Sequence, residues 1–106
     1  LVEIRRLYNM YRSGQMIGEA NRQLADGKME AATETAAMAA ELSPENDNAW
    51  VALANIHLRA GRKPAALDAL KKAVELNPAN RRQLPKNRNF ESLLSDPEFK
   101  RITGPS

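Results

Sequence analysis

The stretch Asp47–Asn80, DNAWVALANIHLRAGRKPAALDALKKAVELNPAN, decides the fold, because the 34 residues before it, Ser13–Asn46, SGQMIGEANRQLADGKMEAATETAAMAAELSPEN, overlay it without a gap. Eleven positions are identical: Ala20/Ala54, Asn21/Asn55, Leu24/Leu58, Gly27/Gly61, Ala31/Ala65, Ala32/Ala66, Ala39/Ala73, Glu41/Glu75, Leu42/Leu76, Pro44/Pro78 and Asn46/Asn80. A unit of this length with fixed small residues, a central Gly and a closing Pro is the pattern of a helix–turn–helix solenoid. Such units stack and line a concave surface with the first helix of each repeat. In the second unit Asp47 suits the N-cap of a helix over 48–60, Gly61 makes the turn, Pro64 sits in the first turn of a helix over 64–76, and Asn77-Pro78 closes it. In the first unit a helix over 15–26 stops at Asp26-Gly27, and one over 28–42 closes at Ser43-Pro44.

Working outward, Leu1, Ile4, Leu7, Tyr8 and Tyr11 recur at helical spacing, so 1–12 is expected to be an amphipathic helix ending near Ser13-Gly14. Downstream, Arg81-Arg82-Gln83-Leu84-Pro85 begins where a third unit would, but Pro85 falls early and no Ala-rich second helix follows. Two short helical pieces are expected instead, one over Phe90–Leu94 and one opened by Ser95 or Asp96 before Pro97. Phe90, Leu93, Leu94, Phe99 and Ile102 form an apolar set able to cover the exposed side of helix 64–76, as terminal repeats require. The expectation is a single all-α domain: N-terminal helix 1–12, degenerate repeat 13–46, repeat 47–80, and C-terminal cap and tail 81–106.

The composition narrows the function classes. The chain of 106 residues is 42% hydrophobic but only 5% aromatic, so its core must rest on Ala and aliphatic side chains, which suits closely packed helices. With no Cys and one His it has no thiolate chemistry and little for a metal site, so no cofactor or metal is expected; a reducing, cytoplasmic setting fits. No apolar run approaches the ~18–20 residues that span a bilayer. The start, Leu1-Val2-Glu3-Ile4-Arg5-Arg6, is too charged for a signal peptide, and opening without Met it is expected to belong to a longer protein. The net charge of +3 divides unevenly: +2 over 1–12, −4 over 13–46, +2 over 47–80 and +3 over 81–106. There is no long basic stripe interleaved with aromatics, so nucleic acid is not an expected partner. No Ser/His/Asp set, paired-carboxylate pocket or phosphate loop is present, so no catalysis is expected.

These features resemble the tetratricopeptide repeat family. Trp50, Leu53, Ala54, Gly61, Ala66, Leu70, Ala73 and Pro78 stand where that family's pattern has its large, small, turn and closing residues; His57 departs, standing where Tyr is usual. Ser13–Asn46 keeps Ala20, Gly27, Ala32, Ala39 and Pro44 but carries Met16, Glu19, Gln23 and Ala36 at the large positions. The resemblance covers 68 of 106 residues. It implies an all-α, right-handed helix–turn–helix solenoid that binds a peptide or protein surface. A second, shorter resemblance links Leu1-Val2-Glu3-Ile4-Arg5-Arg6-Leu7-Tyr8 to the helix preceding the repeat tail of an uncharacterised bacterial family of N-terminal-nucleophile-hydrolase-like proteins. It implies a non-catalytic tail of a larger enzyme.

Carried over residue by residue, the family's groove positions are Gly14, Ile17, Asn21, Leu24 and Ala25 in the first repeat, and Asn48, Val51, Asn55, Leu58 and Arg59 in the second. Asn21 and Asn55 fall in register, and a carboxamide can both donate to and accept from the backbone of an extended peptide. Ile17, Val51, Leu24 and Leu58 would form apolar pockets, and Arg59 could pair with a carboxylate. Asn is also common there because it suits the repeat, so a binding and a structural role stand side by side. The family's carboxylate clamp needs Lys where Ile17 and Val51 stand, so chaperone C-terminal tails are not the expected ligand. Trp50 and His57 read as packing residues, and Glu19 as exposed or paired with Arg22. Arg81, Arg82, Lys86 and Arg88 read as a solvated basic end or, alternatively, a docking patch. The alternative to groove binding is a structural or oligomerisation appendage, with helix 1–12 filling part of the groove and the module packing on a parent domain or on itself.

Overall fold

The structure is a computed structural model that describes residues 2–104, with side chains from Ile4 onward. Leu1, assigned above to the apolar face of the first helix, lies outside the described residues, as does the tail beyond Gly104. Four helices form the body: α1 (Val2–Ala25), α2 (Met29–Leu42), α3 (Asp47–Arg59) and α4 (Lys63–Leu76). Helix α1 packs on α2, α3 on α4, and the two pairs join through α2–α3 and α1–α3 contacts. This is the expected all-helical repeat architecture, and no strand occurs among the described residues.

The two central turns follow from Gly27 and Gly61, whose φ values of 79° and 80° lie in the left-handed region that favours glycine. Each closes its helix with the same pair of backbone bonds. Gly27 N–H donates to Leu24 O at 3.0 Å and Lys28 N–H to Gln23 O at 2.8 Å; Gly61 and Arg62 repeat this on Leu58 O at 3.1 Å and His57 O at 2.8 Å.

The predicted break at Ser13-Gly14 is absent: α1 runs unbroken through both residues. Gly14 has no positive φ and so supplies no left-handed stop. Ser13 is fully buried, its Oγ donating to Ala39 O at 2.8 Å and accepting from Asn46 Nδ2 at 3.1 Å. The small hydroxyl lets α1 lie close on α2 instead of ending there. One unit later Asp47 and Asn80 form the matching corner. Asn80 Nδ2 donates to Asp47 Oδ2 at 3.0 Å and also to Ala73 O at 3.0 Å, since a carboxylate has no proton to give that carbonyl. The N-cap of α3 is Asn46, one residue before the expected Asp47; its Oδ1 accepts from Asn48 N–H at 3.1 Å.

The core is built from alanines at the helix crossings and a few larger side chains. Ala20, Ala32, Ala36, Leu53 and Ile56 form one cluster between the repeats, while Ala54, Ala66, Leu70 and Val74 begin another that the C-terminal segment completes. Trp50 packs against both and against a third cluster of Ala39, Ala40 and Ala49, and its Nε1 donates to Pro44 O at 3.0 Å, the core role expected of it.

The segment after Pro78 folds as a cover: α5 (Asn80–Gln83), 3-10 turns at 84–86 and 88–93, then α6 (Pro97–Thr103). Phe90, Leu93 and Phe99 are buried against α3 and α4, with Ile102 packed beside them; Leu94, expected in the same set, stays 44% exposed. Asp96 caps α6, accepting from Glu98 N–H at 2.9 Å and Phe99 N–H at 3.1 Å. The Lys63 ammonium, and after it the Phe99 N–H, hold its carboxyl below the usual carboxylate range, so the same carboxylate ties the cap to the start of α4.

Candidate functional site

The concave side of the two repeats is an open depression of about 430 Å³ between α1 and α3, with one wall from the C-terminal cover. Gly14, Ile17 and Asn21 approach it from α1, Asn48, Val51, Ala52 and Asn55 from α3, and Asn89 from the 3-10 turn at 88–93. Successive turns explain the arrangement: Ile17 and Asn21 are four residues apart on α1, as Val51 and Asn55 are on α3, so each pair shares a helix face. No lining residue is ionisable.

Six of the positions expected in the groove, namely Gly14, Ile17, Asn21, Asn48, Val51 and Asn55, meet around this one space. Three others do not reach it. Leu24 is half-buried against the cluster of Ala20 and Ile56, Leu58 packs beside Leu70 and Phe90, and Arg59 is exposed on the last turn of α3. Ala25 is likewise exposed at the end of α1. Helix 1–12 forms the first half of α1, and none of its described residues lines the depression. Asn89 was not foreseen. Its backbone N–H donates to Asn87 Oδ1 at 2.9 Å, which shapes the turn that carries it, but only the folded path of the cover brings it beside Asn21 and Asn55.

The three buried asparagines of the chain differ in kind. Asn46 and Asn80 have their carboxamides bonded at the corners described above. Asn55 is 8% exposed, and its Oδ1 is buried without a hydrogen-bond partner. A buried carbonyl left unpaired costs about 1–3 kcal/mol, so its place beside an open groove is notable chemically.

His57 faces away from this space, half-buried, with Nδ1 buried and unpaired. Burial, and then the Arg62 guanidinium, hold its imidazole below the ordinary value near 6.5. Arg62 itself bonds Glu30 Oε1 at 2.5 Å, joining the turn of the second repeat to α2 of the first. Glu19 is exposed, and the ion pairs among the described residues do not include Glu19–Arg22. Arg81, Arg82, Lys86 and Arg88 are all exposed. No group of acidic and histidine residues among the described residues could hold a metal ion, and no helix among them is long and apolar enough to cross a membrane.

No curated protein matches the chain. Residues 47–80 match the model of the tetratricopeptide repeat family, the same 34 residues that the internal period and the Gly61 turn delimit. Repeats of that family are in general protein-interaction elements and not enzymes. The unit of α3 and α4, 34 of the 106 residues, is thus similar to a tetratricopeptide repeat.

Proposed function

We propose that the chain is a protein–protein interaction module whose groove between α1 and α3 holds an extended, uncharged segment of a partner. The observation that carries this reading is that Asn55, in register with Asn21 one repeat earlier, lines an open space free of ionisable groups. Its carboxamide could bond the backbone of an extended segment there. Asn21, Asn48 and Asn89 add donors and acceptors around the same space, and Ile17 and Val51 offer apolar contact to alternate side chains of an extended segment. Leu24, Leu58 and Arg59 lie beyond the depression and would contact only a longer segment. The module performs no catalysis in this reading, needs no cofactor, and meets its partner in the cytoplasm.

The test is affinity capture from a lysate of the source cells, wild type beside an Asn21→Ala/Asn55→Ala variant, at low and raised salt. A partner held by wild type, lost by the variant and insensitive to salt supports the groove, since no lining residue is charged. Equal recovery on both, or none on either, rejects it. The second reading, a structural or oligomerisation appendage of a larger hydrolase-like protein, is favoured by a different observation: the apolar residues that α1 leaves exposed in its first turns.

A further inference from the structure

Those exposed residues form a face. Ile4, Leu7, Tyr8 and Tyr11 follow helical spacing and are 68%, 68%, 56% and 63% exposed. They lie opposite Ser13 and Ala20, the fully buried residues with which α1 packs on the body, so the fold offers them no internal partner. The rings are ordered along the helix: Tyr11 Oη accepts from Gln15 Nε2 at 3.1 Å, and Tyr8 Oη from Arg12 Nη1 at 3.5 Å. Exposed Arg5 and Arg12 flank them. On α2, Glu34, Met38 and Glu41 recur at helical spacing and are exposed, Met38 by 55%. Arg12 and Met38 border one shallow depression between α1 and α2, which brings the basic end of the strip to that outward row of α2.

We infer that this end is a self-association surface whose occupant is a second copy of the chain. An isologous pair requires a patch complementary to itself, and this one carries both halves: a basic, apolar strip with +2 over 1–12, beside a repeat with −4 over 13–46. Rotated about a two-fold axis, the strips meet and the arginines of each copy approach the glutamates of the other. Four large side chains left mainly in water present on the order of 500 Å² per copy, or about 1,000 Å² for the pair, at the lower bound for a specific interface. The association is therefore weak and reversible. An anionic lipid surface would also attract the arginines, but it would repel Glu34, Glu41 and the nearby Glu45.

Sedimentation velocity of the full chain, from low-micromolar to near-millimolar concentration, tests the inference. The expected result is a weight-average mass rising toward twice that of the chain. Leu7→Ser/Tyr11→Ser is expected to stay monomeric with unchanged circular dichroism, its substitutions being at exposed sites. Arg5→Glu/Arg12→Glu is expected to weaken association at least tenfold, and combining it with Glu34→Lys/Glu41→Lys to restore it. A wild type that stays monomeric throughout, or a Leu7/Tyr11 variant that associates as wild type does, overturns the inference. So does a monomeric wild type that pellets with phosphatidylserine vesicles.

Discussion

If Asn55 serves a ligand while Asn80 serves the fold, replacing each with Ala has opposite consequences. Asn80→Ala removes two hydrogen bonds of 3.0 Å, to Asp47 Oδ2 and to Ala73 O, at a site 5% exposed. At about 1 kcal/mol for each bond the loss is about 2 kcal/mol, which for a domain of this size lowers Tm by about 10 °C. Asp47 retains the Asn77 Nδ2 donor at 3.2 Å, so its carboxylate is not left bare and the loss stays near that figure. Asn55→Ala removes a carboxamide whose Oδ1 has no partner. Relief of about 1 kcal/mol of uncompensated desolvation offsets a comparable loss of packing, and the net change is within about 0.5 kcal/mol. Scanning calorimetry of wild type and both variants at matched concentration reads the contrast directly. An Asn55→Ala variant that melts as far below wild type as Asn80→Ala does would show that Asn55 is structural and refute the reasoning.

Ser13→Ala, which deprives buried Asn46 Nδ2 of its acceptor, is expected to cost about 2 kcal/mol by denaturant unfolding, and Ser13→Asp more, since it buries a charge where Ser13 is fully covered. Phe90→Ala opens a cavity at the centre of the C-terminal cover and is expected to cost about 3–5 kcal/mol; a chain cut to 13–80 is expected to lose cooperative melting, and a 13–80 fragment that melts with the full chain would show that the ends are dispensable. His57 is held below its ordinary value, so the unfolded chain takes up a proton first as pH falls. Stability is then full above pH ~6.5 and declines below it, and His57→Tyr is expected to flatten that acid limb in melting curves at pH 7.5 and 5.

The features legible in the sequence are those whose cause is local or repeated. Gly27 and Gly61 stop their helices through their own φ and bonds to the preceding turn, so two glycines at one period fix both turns. Pro64 and Asp96-Pro97 mark helix starts by the same local logic. What escaped depends on distant groups. Ser13-Gly14 reads as a break until Ser13 finds Ala39 O and Asn46, which lie 26 and 33 residues away. Asp47 reads as a cap as well as Asn46 does, and the choice falls to the residue that also bonds Ser13. The period puts Asn21 and Asn55 in register and the family resemblance points them to the groove, whereas Asn89 arrives from a non-repeated cover whose path no periodicity encodes. The family resemblance points Leu24 and Leu58 to the groove, but the close approach of neighbouring helices leaves them half-buried against the core clusters.

The most direct test of the groove is heteronuclear NMR of the labelled chain titrated with a peptide selected from a random library by panning against wild type. The account predicts that the side-chain amide resonances of Asn21 and Asn55 shift, together with the backbone amides of Ile17, Asn48 and Val51. It also predicts that the shifts persist at high salt and that Asn55→Ala abolishes them. Shifts confined to the outward face of α1 or to α6, or unaltered by Asn55→Ala, would contradict it.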